Sequence, residues 1–243
     1  MRASAFQTAV RLVYPPRCIS CGGLVESDFG LCGPCWRDTP FISGLVCDAC
    51  GTQLPGAAGP QVDYCDDCLV TARPWSRGRS ALRYRDNARR LVLALKHGDR
   101  QDLARPAAAW MARAAQPLLR PDTLIAPVPL HWLRMLSRRF NQAALLAQGV
   151  ARETGLDWCP DLLIRPRRTR SLGGLDRDAR HATLDGAIRV NARRLDRIRG
   201  RDILIVDDVM TSGATLSAAT QACHAAGARD VCILTLARVG KDA

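Results

Sequence analysis

Residues Ile203-Leu-Ile-Val206 form an apolar, mostly β-branched run that no polar position interrupts. Alternation would mark a strand with one wet face, whereas an unbroken run marks a strand buried on both faces of a parallel sheet. Elsewhere the period changes. Ser80-Ala-Leu-Arg-Tyr84 alternates like a strand, and Asp86 can cap a helix whose apolar face is Leu91, Val92 and Leu95 and which runs out at Lys96-His-Gly98. Residues 102–119 predict an Ala-rich helix. Leu124-Ile-Ala-Pro-Val-Pro-Leu130 predicts a strand running into a loop, because proline cannot donate to a sheet ladder. Arg138-Arg-Phe-Asn-Gln-Ala143 opens a further helix to about Thr154, and another starts near Ala214. At the front, Phe6, Val10 and Val13 at helical spacing predict a short amphipathic helix within residues 1–17, stopping before Tyr14-Pro-Pro16.

With 243 residues and 47% hydrophobic content, the chain is long enough for one or two domains and a sizeable core. No run approaches the ~18 apolar residues of a membrane span, and no small-residue cleavage site follows residues 1–13, so membrane insertion and export are not expected and the chain is read as cytoplasmic. Net charge is +12, from 33 Arg and only 2 Lys against 23 acids. The charge is unevenly spread: residues 1–75 hold 5 Arg against 7 acids, and residues 131–201 hold 16 Arg against 7. A basic middle suits a polyphosphate ligand or a nucleic acid, and charge alone does not choose between them.

Eleven cysteines would imply disulfides in a secreted protein, but eight of them form four Cys-x-x-Cys pairs, 18/21, 32/35, 47/50 and 65/68. Four thiolates complete a tetrahedral zinc site, and two such turns supply them, so two structural Zn²⁺ ions are expected on Cys18, Cys21, Cys32, Cys35, Cys47, Cys50, Cys65 and Cys68. Cys21-Gly22 and Cys50-Gly51 share the glycine of a tight knuckle, whereas Cys35 precedes Trp36 and Cys68 precedes Leu69. That internal repeat favours two tandem ribbons over residues 18–70, 18/21/32/35 and 47/50/65/68, with interleaved pairing as the alternative. Eight thiolates and two zinc ions would leave this module at about −6, so it is unsuited to gripping DNA phosphates and is expected to serve structure or docking. Cys159, Cys223 and Cys232 lack ligand spacing and are expected as small buried hydrophobes. Thr71 to Gly78 reads as a linker.

Chemistry concentrates after the apolar run. Asp207 and Asp208 are expected at the carboxyl end of that strand, where open α/β sheets bind ligands. Val209 to Thr215 adds a glycine, the hydroxyls of Thr211, Ser212 and Thr215, backbone N–H groups and a helix N-terminus, which together suit a phosphate. The two carboxylates suit ribose hydroxyls or a bridging Mg²⁺.

Four apolar residues, Asp-Asp and Val-x-Thr-x-Gly-x-Thr resemble the phosphoribosyl pyrophosphate (PRPP) loop of type I phosphoribosyltransferases. The order of double zinc ribbon, Tyr84 to Leu95-Lys96, Pro127-Val-Pro-Leu130, Arg138-Arg-Phe-Asn-Gln-Ala143 and this loop is similar, over nearly the whole chain, to the ComF family of competence-associated phosphoribosyltransferase-like proteins. The resemblance implies an α/β type I phosphoribosyltransferase fold, a mostly parallel sheet flanked by helices over residues 79–240, behind a small zinc-ribbon domain. It implies PRPP with Mg²⁺, held by Asp207, Asp208, Val209, Met210, Thr211, Ser212, Gly213, Ala214 and Thr215, and an acceptor that the sequence does not name. Lys96 would lie in the pyrophosphate-binding loop; the plainer reading is a helix-terminal cation. In phosphoribosyltransferases a loop placed like Leu163 to Ala187 closes over the sugar, which puts Arg170 beside Lys96, Asp207 and Asp208 as a catalytic candidate; a solvated basic loop is the alternative. The chain departs from the family pattern at Arg139, where Gly is usual, at Leu172, where Gln is common, and at Thr183, where Asn is common. Two other readings fit the same residues: a PRPP or nucleotide sensor without turnover, or a handler of single-stranded DNA working with a competence helicase-type partner. Aromatics at 5% offer few stacking platforms for the last.

Overall fold

A computed structural model of the chain describes residues 14–57, 59–97, 100–130, 140–166 and 186–240. The helix expected over residues 1–13, Arg139, and the loop segment holding Arg170, Leu172 and Thr183 lie outside them.

Two short helices, α1 (Gly33–Arg37) and α2 (Asp66–Val70), belong to the cysteine-rich segment. Then follow β1 (Arg77–Arg83), α3 (Asp86–His97), α4 (Ala104–Ala115), β2 (Leu124–Pro127), α5 (Gln142–Thr154), β3 (Leu163–Ile164), β4 (Arg189–Val190), α6 (Leu195–Ile198), β5 (Asp202–Met210), α7 (Ala214–Ala225) and β6 (Asp230–Arg238). Strands β1, β6, β5 and β2 lie in that order in one sheet, all parallel, and β3 pairs antiparallel with β4. This is the parallel sheet with flanking helices that the apolar run at 203–206 implied.

Alternation along the central strands divides the core in two. Leu204, Val206, Leu234 and Leu236 face the side covered by α3, α4 and α5, with Leu91, Val92, Met111, Leu146 and Val150. Ile203, Ile205, Val231 and Ile233 face α7, with Leu216, Ala219 and Cys223. Full burial of a Leu or Ile side chain stabilises by roughly 1.5–3 kcal/mol, so two filled faces explain why no polar residue interrupts 203–206. Cys159, Cys223 and Cys232 are buried, as expected of small hydrophobes.

Two boundaries differ from the sequence reading. Strand β5 does not stop at Val206; it stays paired with β6 through Asp207↔Thr235, Val209↔Ala237 and Met210↔Arg238, which leaves only Thr211 to Gly213 before α7. Strand β1 begins at Arg77 because Arg77 and Gly78 pair with Cys232 and Ile233. The stretch expected as a linker is therefore packed. Trp75 is 3% exposed, its indole N–H donates to Ala49 O, and Ser76 N–H donates to Val231 O.

Candidate phosphate-binding site and metal centres

The cysteines gather as tandem ribbons. The sulfurs of Cys18, Cys21, Cys32 and Cys35 lie within 4.8 Å of one another, and so do those of Cys47, Cys50, Cys65 and Cys68. A tetrahedron with Zn–S bonds of about 2.3 Å has edges of about 3.8 Å. Cys21 and Cys32 stand 3.6 Å apart and Cys50 and Cys65 3.7 Å, so both sulfur sets fit zinc and the sequential pairing is the one the fold adopts. The repeat extends to the backbone. Gly22 N–H donates to Cys18 O and Gly51 N–H to Cys47 O, both glycines having positive φ, while Cys32 and Cys65 each cap the short helix that carries the fourth ligand. Gly51 lies flat on β1: a Cβ there would stand 2.6 Å from Ser80 N.

Each centre rests on a different side of the sheet. In the first, Ser20 Oγ donates to Asn87 Oδ1 at the start of α3, and Asn87 Nδ2 donates to Thr39 Oγ1 and Cys35 O. In the second, Cys47, Ala49 and Cys50 are buried with Ile233 and Trp75. Asp48 accepts from Arg77 Nε at 3.0 Å and Arg79 Nη2 at 2.6 Å, and these guanidinium partners hold its carboxyl below the usual range against the opposing effect of burial.

The candidate ligand site lies at the carboxyl end of β5. Lys96, on the last turn of α3, places Nζ 3.0 Å from Asp208 Oδ1, with both side chains mostly buried. Gln142, buried at the start of α5, donates Nε2 to Lys96 O, and Asn141 caps α5 at Ala143 N–H while donating Nδ2 to Val128 O. The Phe-Asn-Gln-Ala segment thus ties the end of α3 to the Pro-Val-Pro turn after β2. Asp207 is pushed up to about 7, chiefly by burial and next by the Asp208 charge; the Asp208 N–H that donates to its Oδ1, Lys96 and Arg165 pull the other way. One of two adjacent carboxyls therefore holds its proton near neutrality until a cation arrives.

The turn after β5 is clamped from behind. Arg73 Nη1 donates to Ser212 O at 2.9 Å, and Arg238 Nη1 donates to Thr211 O at 2.8 Å and to Met210 O. Arg73 and Arg238 each bury an Nε without a partner among the described residues, a cost to stability that points to placement over packing. Because N–H and C=O point opposite ways across a trans peptide, holding the carbonyls of Met210, Thr211 and Ser212 on one side turns the N–H groups of Thr211, Ser212 and Gly213 to the other, and the first turn of α7 adds donors without intrahelical partners. Gly213 has φ +84°, and a Cβ there would stand 2.8 Å from Met210 Cε and 3.0 Å from Trp75 Cη2. Arg73, Trp75, Asn141, Gln142 and Arg238 escaped the sequence reading as site residues, although the Arg138-Arg-Phe-Asn-Gln-Ala143 motif had singled out the segment holding Asn141 and Gln142.

Residues 9–69 match the family model of the double zinc ribbon domain and residues 142–243 that of the phosphoribosyl transferase domain. The chain is 33% identical over 234 residues to the DNA utilization protein YhgH of Salmonella typhimurium strain LT2, covering 93% of this chain and 99% of that one. The Escherichia coli K12 protein of the same name is 30% identical over the same span. The chain belongs to the ComF family. Competence protein F of Haemophilus influenzae, another relative, is 27% identical over 229 residues, 91% of this chain and 96% of its own. In this ComF chain the parallel sheet and the loop after β5 belong to a phosphoribosyltransferase fold, and the two sulfur clusters to its double zinc ribbon. No helix among the described residues is long and apolar enough to cross a membrane.

Proposed function

We propose that this chain binds PRPP with Mg²⁺ and that its α/β domain transfers, or once transferred, the phosphoribosyl group to a nitrogen acceptor, in the service of DNA uptake or use. The observation that carries the reading is the meeting of Lys96 and Asp208 at 3.0 Å beside a turn whose carbonyls are held back by two arginines. A positive group for a diphosphate, carboxylates for a diol and an N–H cradle for a monophosphate then lie around one strand end, which is the distribution of charge along PRPP.

Displacement at the anomeric carbon needs the sugar held while the diphosphate leaves, so the protein's task is positioning and charge. Asp207 and Asp208 accept hydrogen bonds from the ribose hydroxyls, and their charge balances the sugar as it becomes cationic. The N–H groups and hydroxyls of Thr211 to Thr215 hold the 5'-phosphate. Lys96 keeps its contact with Asp208 or turns one of its three donors to the departing diphosphate, joined by Arg170, which lies between β3 and β4 in the sequence. When bound, Mg²⁺ supplies charge neutralisation to the diphosphate, and Asp207 and Asp208 are the carboxylates that fit it. The names of the relatives support a setting in competence or DNA utilization, and a reducing cytosol keeps the thiolates available for zinc.

The test is release of pyrophosphate from PRPP across a panel of nitrogen acceptors, beside a thermal-shift titration of PRPP with and without Mg²⁺. Release with one acceptor class, lost in Lys96→Ala, is the expected result. A Mg²⁺-dependent shift without release supports a PRPP sensor, and no shift at all overturns the ligand.

A further inference from the structure

We infer that the second four-cysteine centre is a positioning element of the phosphate loop, acting through Arg73 and Trp75, and that the first centre is not. The loop's role in holding phosphate rests on the function proposed above; the coupling itself rests on the fold.

The chain leaves the second centre at Cys68 and reaches Arg73 five residues later. The Arg73 guanidinium donates Nη1 to Ser212 O at 2.9 Å and sits 5.6 Å from the Trp75 ring centroid. Trp75 is pinned from the other side, because its indole N–H donates to Ala49 O, between the ligands Cys47 and Cys50. The far edge of the same indole is the surface against which Gly213 turns, at 3.0 Å from an added Cβ. One arginine and one tryptophan therefore connect the Cys47–Cys50 knuckle of the second centre to residues 212 and 213. The knuckle is fixed to the sheet as well, with Gly78 N–H donating to Asp48 O at 2.8 Å.

The connection matters because of what the Ser212 carbonyl does. An anion at the loop needs N–H groups toward it and carbonyls away from it, and rotation of the 212–213 peptide would reverse that. Arg73 holds the carbonyl back, and the second centre holds Arg73. Without its four ligands gathered, α2 and the Cys47 knuckle lose the geometry that places both Cys68 and Ala49. The first centre shows no such route among the described residues: outside the ribbon, Ser20 and Cys35 bond to Asn87 and Ile19 O accepts from Arg100, all at or near the ends of α3 and away from residues 209–215.

The test uses the full zinc-loaded chain and four variants, Arg73→Ala, Arg73→Lys, Cys68→Ser and Cys21→Ser, with zinc content measured for each. Two amides report the loop without any ligand: Ser217 N–H, bonded to Gly213 O, and Val239 N–H, bonded to Met210 O. Arg73→Ala should keep both zinc ions, speed hydrogen exchange at these amides and weaken PRPP binding about tenfold, the worth of a lost hydrogen bond with its neighbouring charge. Cys68→Ser should do the same with loss of one zinc. Cys21→Ser should lose the other zinc and change neither readout. Arg73→Lys keeps the charge beside Trp75 without the fork that reaches Ser212, and should fall between parent and Arg73→Ala. Should Cys68→Ser fail to fold, the two Arg73 variants carry the test. Unchanged exchange in Arg73→Ala, or equal effects from Cys21→Ser and Cys68→Ser, would overturn the coupling. A parent that binds no PRPP while exchange still responds as stated refutes the proposed ligand and leaves the coupling standing.

Discussion

Asp207 is the residue at which stability and ligand capture oppose each other. Its carboxyl is pushed from 3.8 to about 7 by burial and by Asp208. The folded chain thus keeps a proton that the unfolded chain releases, so this group makes stability fall as pH rises from about 4 through 7. Asp207→Asn removes the titration while preserving shape. In ligand-free thermal melts between about pH 5.5 and 8, the variant should gain on its parent as pH rises and be the more stable of the two at the upper end; a difference that does not vary with pH would contradict the assignment. The same variant should bind PRPP less well, the usual exchange of stability for function. The pair Asp207-Asp208 was legible in the sequence, but the raised pKa of Asp207 was not, because it depends chiefly on burial by elements remote in the chain, set against the opposing charges of Lys96 and Arg165.

At the scale of elements, the turn between β5 and α7 is short and tightly supported. Gly213 and Gly155 both have left-handed φ, +84° and +71°, but a Cβ at Gly213 meets Met210 and Trp75 whereas nothing lies within 4 Å at Gly155. Gly155→Ala should cost about 1 kcal/mol, the conformational penalty alone. Gly213→Ala adds overpacking and should cost about 2 kcal/mol or more, read as a larger drop in the denaturant midpoint at constant slope. Equal costs would mean that Trp75 does not press on the turn. The elements themselves were largely readable: the 203–206 run and the helix from Asp86 to His97 follow local period, and the helix after Asn141 follows period and a side-chain cap, whereas Asp86 stands inside its helix with φ +46° and shows no capping bond among the described residues. What local pattern missed was pairing. Strand β5 extends to Met210 only because β6 runs beside it, and Thr71 to Gly78 read as a linker because the acceptors of Trp75 and Ser76, at Ala49 and Val231, are 26 and 155 residues away.

For the whole molecule, the account is a parallel-sheet domain carrying two zinc centres, one resting on the start of α3 and the other packed with Trp75 and Ile233. The purified chain should carry two zinc ions, and elemental analysis finding one or none without chelator exposure would remove that part of the account. The net charge of +12 keeps a nucleic-acid reading in view, and the loop arginines separate it from catalysis. Replacing Arg167, Arg168 and Arg170 together should slow PRPP consumption and leave affinity for single-stranded DNA little changed. If they line a DNA groove instead, the salt dependence of DNA binding should flatten by about 0.7 of a slope unit for each lost phosphate contact, with pyrophosphate release untouched. The central claim, that the end of β5 holds PRPP, is tested most directly by isothermal titration of PRPP and Mg²⁺ into the parent chain and into the double variant Asp207→Asn, Asp208→Asn. The account predicts Mg²⁺-dependent binding to the parent and a loss of ten- to several-hundred-fold in the double variant, since ribose hydroxyls lose two charged acceptors worth roughly 1–3 kcal/mol. An unchanged dissociation constant in the double variant, or no binding to the parent, would contradict it.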